Sequence, residues 1–334
     1  MRVRAEKSRQ WSSRIWPGAV VLATAFTMIS CGGSSKPGNS TAPAAKATYA
    51  TPAEAGQALR AAVGAKDQIG MTRLLGEKSD ALLMTGDAVE DKAAMDSFSA
   101  KFDQMNRWVP MTNGSQILYI GADNYAFPIP LVKDSSSKWQ FDSAAGQQEI
   151  TARDIGRNEL LAIDAVLAIA DAEEAYSQKA HDGNPAHQYT QVIVSDPGKQ
   201  DGLYWDASKT QDPSPLGKLN DFATSPVSPL GPGEPQVLDG YSLRILSTQG
   251  EKAKGGAKSY LVDGKMTGGF AFVAYPADYR NSGVMTFLVD QSGVVYQKDL
   301  GANTADIAKQ MTAYSPDKTW VTAGNDEEEI QESE

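Results

Sequence analysis

The chain has 334 residues, of which 41% are hydrophobic and 22% charged, and its formal net charge is −10. This composition is typical of a globular protein and excludes an intrinsically disordered one, and the length allows two domains of ordinary size. The acidic balance argues against nucleic acid as a partner, because binding to phosphates requires a basic surface that displaces counterions. The sequence has a single cysteine, so no disulfide can form within the chain and its stability must come from a packed core.

The first thirty residues have the pattern of an export signal. Basic residues crowd the start of the chain, and an apolar run follows from Ala19 to Ile29. Because this run is about half of the ~20 apolar residues that span a bilayer, it predicts a cleaved signal peptide over residues 1–30 rather than a membrane helix. The run ends in Met28-Ile29-Ser30-Cys31-Gly32, which resembles the lipobox of bacterial lipoproteins, with Met28 where that family usually has leucine. The resemblance implies cleavage before Cys31 and lipidation of its thiol and amine. The alternative is a cysteine inside a signal peptide that is cut elsewhere.

The segments that follow the signal and end the chain are both polar. Residues 31–50 are rich in Gly, Ser, Pro and Ala, which predicts a flexible tether that holds the folded part on the order of 25 Å from the lipid. Six acidic residues crowd residues 323–334, which predicts a solvated tail. Removing residues 1–30, which carry five basic residues and one acidic residue, takes the formal charge from −10 to −14. In lipoproteins of proteobacteria an acidic residue after the cysteine retains the protein at the inner membrane, so Gly32 favours the outer membrane, facing the periplasm.

Residues 51–145 are predicted to form an α+β domain of helices followed by a curled antiparallel sheet. Thr51, Pro52 and Glu54 have the pattern of a capped helix start. Apolar periodicity predicts further helices over 69–83 and 89–102 and strands over 116–121, 127–133 and 138–142. The order of "TPAEAGQALRAAVGAKDQIGMTRLL" and a "PLVKDSSSKWQFD" hairpin resembles the small cone-shaped domains similar to nuclear transport factor 2. Many members of that class bind or scaffold, and the resemblance carries no catalytic residue onto this chain.

Residues 146–322 are predicted to form a second α+β domain, in which a long helix packs on an antiparallel sheet. In "RNELLAIDAVLAIADAEEAYSQK" (157–179) the apolar residues fall close to one helical face, which comprises Leu160, Ile163, Leu167, Ala170 and Tyr176. A Pro/Gly-rich loop over 196–240 follows, and strands are expected over 241–247, 259–264, 269–276, 283–290 and 294–300. Gln291-Ser292-Gly293 is expected to join the last two strands into a hairpin. The helix and the sheet ending in "TFLVDQSGVVYQKDLG" resemble the head of a type IV pilin or pseudopilin, which implies the architecture of the head and not filament assembly.

A further resemblance covers nearly the whole mature chain. It is carried by the long motifs "NYAFPIPLVK", "WQFD", "IGRNEL", "DPGKQDGLYW", "SPLG", "GGFAFVAYPADY" and "SGVMTFLVDQSGVVYQKDLG". Their combination resembles the bacterial envelope family catalogued as domain of unknown function 2950. The resemblance implies an exported protein and no established activity.

Acidic residues of the long helix are the first candidates for chemistry. Asp164, Asp171, Glu173 and Glu174 could form a catalytic or metal-binding constellation, or the solvated face of a structural helix. A di-metal site in a helical bundle needs ligands from several helices, typically with a Glu-x-x-His pair, and the sequence has no such pair. The pattern therefore favours the solvated face.

Both histidines of the chain, His181 and His187, flank a turn just after that helix. Asp182, Gly183 and Asn184 bear a faint likeness to a calcium loop, but the alternating oxygen ligands and the closing glutamate of that loop are missing. Neither a His-x-x-x-His zinc motif nor a Gly-x-Ser-x-Gly nucleophile elbow occurs. The pattern favours a surface turn, and we expect no catalytic residue, metal or cofactor.

Tyr204 and Trp205 lie in the Pro/Gly-rich loop, after an Asp-Gly turn. If they are exposed, such aromatic residues are natural anchors for an envelope protein or a glycan. The alternative, which the usual burial of large aromatic residues favours, is that both fold back to cover the sheet.

These patterns together predict a lipid-anchored protein of the bacterial cell envelope. Its expected role is that of a non-catalytic binding or scaffold module, in contact with the membrane through the lipid on Cys31. Two alternatives stay open. One is an envelope hydrolase that uses carboxylates and His181 or His187, and the other is an accessory subunit of a pilus-like or secretion assembly.

Overall fold

The computed structural model describes residues 46–76, 84–207, 212–217, 236–238 and 240–324. The expected signal peptide, Cys31, most of the tether and nearly all of the acidic tail lie outside these residues. The chain divides into two compact units, residues 1–150 and 151–334. Each unit combines helices with mainly antiparallel sheets, which confirms the α+β class.

In the described residues the first unit opens with the helices α1 (Pro52–Ala65), α2 (Gln68–Leu75) and α3 (Ala88–Gln104). The predicted start of α1 is confirmed, because the Thr51 hydroxyl accepts a hydrogen bond from the Glu54 N–H at 3.2 Å, and the Glu54 carboxylate accepts one from the Ala50 N–H at 3.1 Å. The second helix is shorter than predicted. It stops at Gly76, whose φ of 90° suits glycine alone, and the remaining residues of that prediction, 77–83, lie outside the described part of the chain.

A five-stranded sheet follows, in the order β1-β2-β4-β5 with β3 paired to β2. Its strands are β1 (Asn106–Pro110), β2 (Gln116–Ile120), β3 (Tyr125–Ala126), β4 (Leu131–Lys133) and β5 (Trp139–Phe141). The prediction omitted β1, and the strand expected over 127–133 is interrupted at Pro128 and Pro130, which cannot donate to a ladder. Helices and sheet enclose a core whose fully buried members include Leu59, Leu118, Ile129 and Phe141.

The long helix α4 (Ser143–Ser177) begins well before the stretch 157–179 in which the sequence analysis identified an apolar face. The Asp142 carboxylate caps it by accepting hydrogen bonds from the N–H groups of Ala144 and Ala145, both at 3.1 Å. At Gly146 a Cβ atom would lie 2.7 Å from Ile129 Cγ1, so glycine permits the close approach of helix and sheet within the first unit. The helix from residue 151 onward belongs to the second unit.

The second unit is built on a six-stranded sheet in the order β16-β14-β13-β12-β7-β6. These strands are β6 (Gln236–Leu238), β7 (Tyr241–Leu246), β12 (Ala271–Pro276), β13 (Met285–Asp290), β14 (Tyr296–Asp299) and β16 (Val321–Thr322). Shorter elements are β8 (Thr248–Gln249), β9 (Lys258–Ser259), β10 (Leu261–Val262), β11 (Lys265–Met266), α5 (Thr304–Gln310) and β15 (Ala313–Tyr314). The predicted hairpin at 291–293 is confirmed, because β13 and β14 pair antiparallel and the Gly293 N–H donates to the Asp290 carbonyl at 2.9 Å.

The predicted apolar face of α4 packs on the second core, with the exception of Leu160. Val166, Ile169 and Tyr176 are fully buried and share a core with residues of the sheet. Leu160 is 61% exposed, so its predicted burial is wrong. Successive residues of an α-helix are rotated about its axis by about 100°, so Leu160 points about 120° away from Val166. A residue seven positions after Val166 points in nearly the same direction as Val166, to within about 20°. Ile163 and Leu167 lie at the margin of the face and are partly buried.

Candidate functional site

A cluster of polar and aromatic side chains forms where the C-terminal end of α4 meets the segment that follows it. We call it the helix-end cluster, and it consists of Glu173, Tyr176, His181, Asn184, Gln188, Thr190 and Trp205. All of its members belong to the second unit. The cluster unites residues that the sequence analysis treated separately, namely an acid of the helix, one histidine and one aromatic residue of the Pro/Gly-rich loop.

Glu173 is the most unusual member, because its carboxyl group is completely buried. Its Oε2 accepts a hydrogen bond from the Thr190 N–H at 3.0 Å, and its Oε1 has no partner among the described residues. Burial raises the pKa of Glu173 well above the ordinary value, the Thr190 N–H opposes this rise and the charge of Glu174 adds to it. Burial therefore favours the neutral form of this carboxyl group over the charged form.

The prediction of a solvated acidic face is wrong for Glu173 and confirmed for Asp164, Asp171 and Glu174, which are exposed. The helical spacing of these residues in the sequence already distinguishes Glu173 from the exposed acidic residues. Position 173 is seven residues after Val166 and therefore lies on the buried face of the helix.

Hydrogen bonds between side chains join the turn after α4 to the last turn of the helix. Asn184 Nδ2 donates to the Tyr176 hydroxyl at 2.8 Å, and Gln188 Nε2 donates to Asn184 Oδ1 at 2.6 Å. The Tyr176 hydroxyl in turn donates to the Gln200 carbonyl at 3.2 Å. Burial raises the pKa of Tyr176, so its hydroxyl remains a proton donor. These bonds give the 181–200 segment a fixed position on the helix.

The ring of His181 is part of an aromatic stack. It lies on the Tyr176 ring at a centroid distance of 4.1 Å, and the Trp205 ring is 5.6 Å away. Its Nε2 is 3.1 Å from the Tyr176 carbonyl oxygen, within hydrogen-bond distance. His187 takes no part in the stack; it is exposed, and its N–H donates to the Ser177 carbonyl at 2.7 Å.

The two aromatic residues proposed as a partner surface have different environments. Trp205 is only 5% exposed, belongs to the core of the second unit and donates from Nε1 to the Asp212 carbonyl at 3.0 Å. Trp205 is therefore not an exposed anchor. Tyr204 is partly buried, packs against the same core and forms a backbone bridge with Val194.

A second set of polar contacts, which the sequence analysis missed, connects the middle of α4 to the first residue of β13 and the residues just before it. Glu159 Oε1 accepts hydrogen bonds from the N–H groups of Val284 at 2.9 Å and Met285 at 3.0 Å. Asn158 Nδ2 donates to the Ser282 carbonyl at 2.9 Å. The sequence around Asn158 and Glu159 gave no signal of these contacts, because their partners lie more than a hundred residues away in the sequence.

Among the described residues, no group of three His, Cys, Asp or Glu side chains is placed to hold a metal ion. None of the helices that the structure describes is both long and apolar enough to cross a bilayer.

The fold and the two sets of contacts define a class: an α+β protein in which polar side chains of a long helix bind the backbone of the chain packed against it. The comparison with family models names the family. The model of the family described as protein of unknown function (DUF2950) matches residues 46–323, and the chain belongs to this family. No curated protein and no solved structure matches the chain.

Proposed function

We propose that this protein is an exported lipoprotein, held at the cell envelope by lipid on Cys31, whose folded units serve as a binding or scaffold module. Support for the address comes from the basic start, the short apolar run and the Ser30-Cys31-Gly32 junction. The predicted tether of residues 31–50 supports it further, because such a tether separates a folded part from an anchored end.

One observation carries the non-catalytic role. In the helix-end cluster, the groups that could perform acid–base chemistry are bound to the chain itself: the Glu173 carboxyl to the Thr190 N–H and the His181 ring to Tyr176. A general acid or base must come within hydrogen-bond distance of the proton that it transfers on a substrate. Glu173 is fully buried, so the cluster favours a structural role over a catalytic one.

Lipid attachment is tested with the full chain and its Cys31→Ser variant in a bacterial host. We expect the parent chain in the membrane fraction with an acylated N-terminal peptide by mass spectrometry, and the variant in the soluble fraction or unprocessed. An unmodified peptide that spans Ser30 and Cys31 in membrane-extracted protein would contradict the proposal. Separation of the two membranes on a density gradient then tests the expected outer-membrane location.

The first alternative is an envelope hydrolase, and the raised pKa of Glu173 is the observation that favours it. Protonated carboxyl groups in apolar surroundings are typical of general acids. This alternative predicts that Glu173 becomes accessible to substrate in some state of the protein. A carboxyl-directed reagent that modifies Glu173 in the folded chain would favour the hydrolase, whereas protection until global unfolding favours the module.

The second alternative is an accessory subunit of a pilus-like or secretion assembly. The observation that favours it is the packing of a long helix on an antiparallel sheet in the second unit, the arrangement on which the resemblance to a pilin head rests. Cross-linking of the full chain in cells distinguishes the two roles. A ladder of regularly spaced oligomers favours the assembly, and a single heterologous adduct favours the module.

A further inference from the structure

A basic lobe stands out on the second unit of this acidic chain. The lobe comprises residues 250–266, the loop between β8 and β9 together with the β10-β11 hairpin. It contains four exposed lysines against two acidic residues, Glu251 and Asp263, although the whole chain has a formal charge of −10. The lysines are Lys252, Lys254, Lys258 and Lys265.

The backbone of the lobe is held from inside by one buried side chain. Gln249 Nε2 donates to the carbonyls of Lys254 at 3.0 Å and Gly256 at 2.7 Å, and Gln249 Oε1 accepts from the Tyr260 hydroxyl at 3.2 Å. Ala253 is buried between two exposed lysines. The loop is thus an ordered element that keeps Lys252 and Lys254 at the surface.

The positive charges of the lobe are available to a partner. In the described part of the chain none of its four ammonium groups forms an ion pair. Lys258 lies over the Tyr260 ring at 5.3 Å. One lysine of the lobe, Lys252, affects the pKa of Asp317, an acidic residue outside the lobe. Hydrogen bonds from Thr319 lower the pKa of Asp317 most, and the positive charges of Lys298 and Lys252 lower it further.

The lobe also exposes an apolar side chain beside a lysine. Val262 is 52% exposed and lies opposite Lys265 in the β10-β11 pair. The turn between them, Asp263-Gly264, has positive φ at both residues, which makes a tight and narrow tip. Lysines next to an exposed apolar residue are typical of surfaces that rest on lipid headgroups.

We propose that the basic lobe is a contact surface for an anionic lipid bilayer. The negative charge of the rest of the chain does not prevent this contact, because the Debye length is only about 8–10 Å at physiological ionic strength and local charges dominate. The lobe has lysines and no arginine. Lysine is a compact point charge suited to diffuse attraction, whereas arginine suits bidentate recognition of single phosphate or carboxylate groups. The exposed Val262 further favours a bilayer over a soluble acidic polymer.

The inference rests on the proposed lipid anchor in one respect only, which is how often the lobe meets a membrane. A lipid at the end of a tether of about 25 Å would keep a membrane at high effective concentration near the folded units. The attraction of the lobe to anionic headgroups does not depend on the lipid. It can therefore be measured on a chain that cannot be lipidated.

The test uses the mature chain, residues 31–334, with Cys31→Ser, co-sedimented with vesicles of phosphatidylglycerol and phosphatidylcholine in equal parts or of phosphatidylcholine alone. The lobe variant adds Lys252→Gln and Lys254→Gln. The control variant adds Lys138→Gln and Lys179→Gln, two exposed lysines outside the lobe, and has the same net charge. Each lysine near an anionic surface contributes a factor of about five to binding, so the lobe variant should bind anionic vesicles about 25-fold more weakly than its parent. The control should lose about twofold or less.

Three results would overturn the proposal. They are equal losses in the lobe and control variants, equal binding of the parent to anionic and neutral vesicles, and binding to a soluble acidic polysaccharide without binding to anionic vesicles. Because every chain in the experiment lacks Cys31, none of these results bears on lipid anchoring, which the fractionation experiment tests separately. Loss of anionic vesicle binding at high salt, with the lobe variant already weak at low salt, is the expected pattern.

Discussion

Replacing Glu173 with glutamine is expected to change how the stability of the chain depends on pH. In the folded state burial raises the pKa of this carboxyl well above its ordinary value. In the unfolded chain the same group ionises near pH ~4.3. A group with a raised folded-state pKa gives its full stabilising contribution below the unfolded pKa and loses it as pH rises through the folded pKa. Glutamine cannot ionise and has no such dependence.

The magnitude follows from the linkage between proton binding and folding. Between the two pKa values the unfolded parent has released a proton that the folded parent retains, which costs the parent about 1.4 kcal/mol of stability per pH unit. The free energy of unfolding of Glu173→Gln minus that of the parent should therefore rise by about this amount per unit above about pH 5. The glutamine keeps an oxygen that can accept the hydrogen bond from the Thr190 N–H, which is the bond that the described residues give the carboxyl.

Urea titrations of both proteins at several pH values between about 4 and 8 measure this difference directly. Asp171→Asn is the matched control, because Asp171 is an acidic residue two positions earlier on the same helix but is exposed. Its difference from the parent should vary little with pH. A difference between Glu173→Gln and the parent that stays constant across the pH range would refute the assignment of a neutral, buried carboxyl.

Three further comparisons test the packing of α4 by urea titration. Ile169→Ala should cost about 2–5 kcal/mol and Leu160→Ala about 0.5 kcal/mol or less, because the first is fully buried and the second is 61% exposed; equal costs would mean that the helix packs on another face. Gly146→Ala should destabilise the protein by about 1–3 kcal/mol, because the added Cβ would lie 2.7 Å from a side-chain atom. Gly156→Ala should instead stabilise the protein by about 0.4–1 kcal/mol, because nothing lies within 4 Å of the added Cβ. Glu159→Ala should lower the free energy of unfolding by about 1–3 kcal/mol and speed the hydrogen exchange of the two amide groups that the carboxylate binds. Unchanged exchange of these two amide groups would contradict a role of Glu159 in holding this backbone.

The sequence predicts elements whose cause is local. The capped start of α1 and the hairpin between β13 and β14 depend on residues within a few positions of one another, and both are confirmed. The sequence analysis gave no first residue for α4, although the cap of this helix is local. Asp142 was included in a predicted strand, and the first turns contain Gly146, a weak helix former that the packing of Ile129 requires. Tertiary contact overrides propensity there.

The polar contacts of α4 could not be predicted in the same way, because their partners are distant in sequence. Glu159 binds amide groups that are 125 and 126 residues away, and nothing near Glu159 indicates which backbone it will meet. Glu173 differs, since its position on the buried face follows from helical spacing alone. What the spacing does not give is the partner, Thr190, that makes burial tolerable by satisfying one carboxyl oxygen.

Glu159 and Glu173 are the two glutamates of α4 that are partly or fully buried, and their hydrogen bonds bear on whether the acidic residues of this helix have a structural or a chemical role. Glu159 accepts two backbone hydrogen bonds, which suits a carboxylate. Glu173 accepts one, and its other oxygen has no partner in the part of the chain that the structure describes, which suits a carboxyl that retains its proton. If Glu173 served catalysis, glutamine would be expected to abolish an activity while raising stability at neutral pH, the usual trade between function and stability. If Glu173 serves only to fix the segment that carries Thr190, Glu173→Gln should raise stability and leave binding by the folded chain unchanged. The same variant therefore decides between the binding module and the hydrolase.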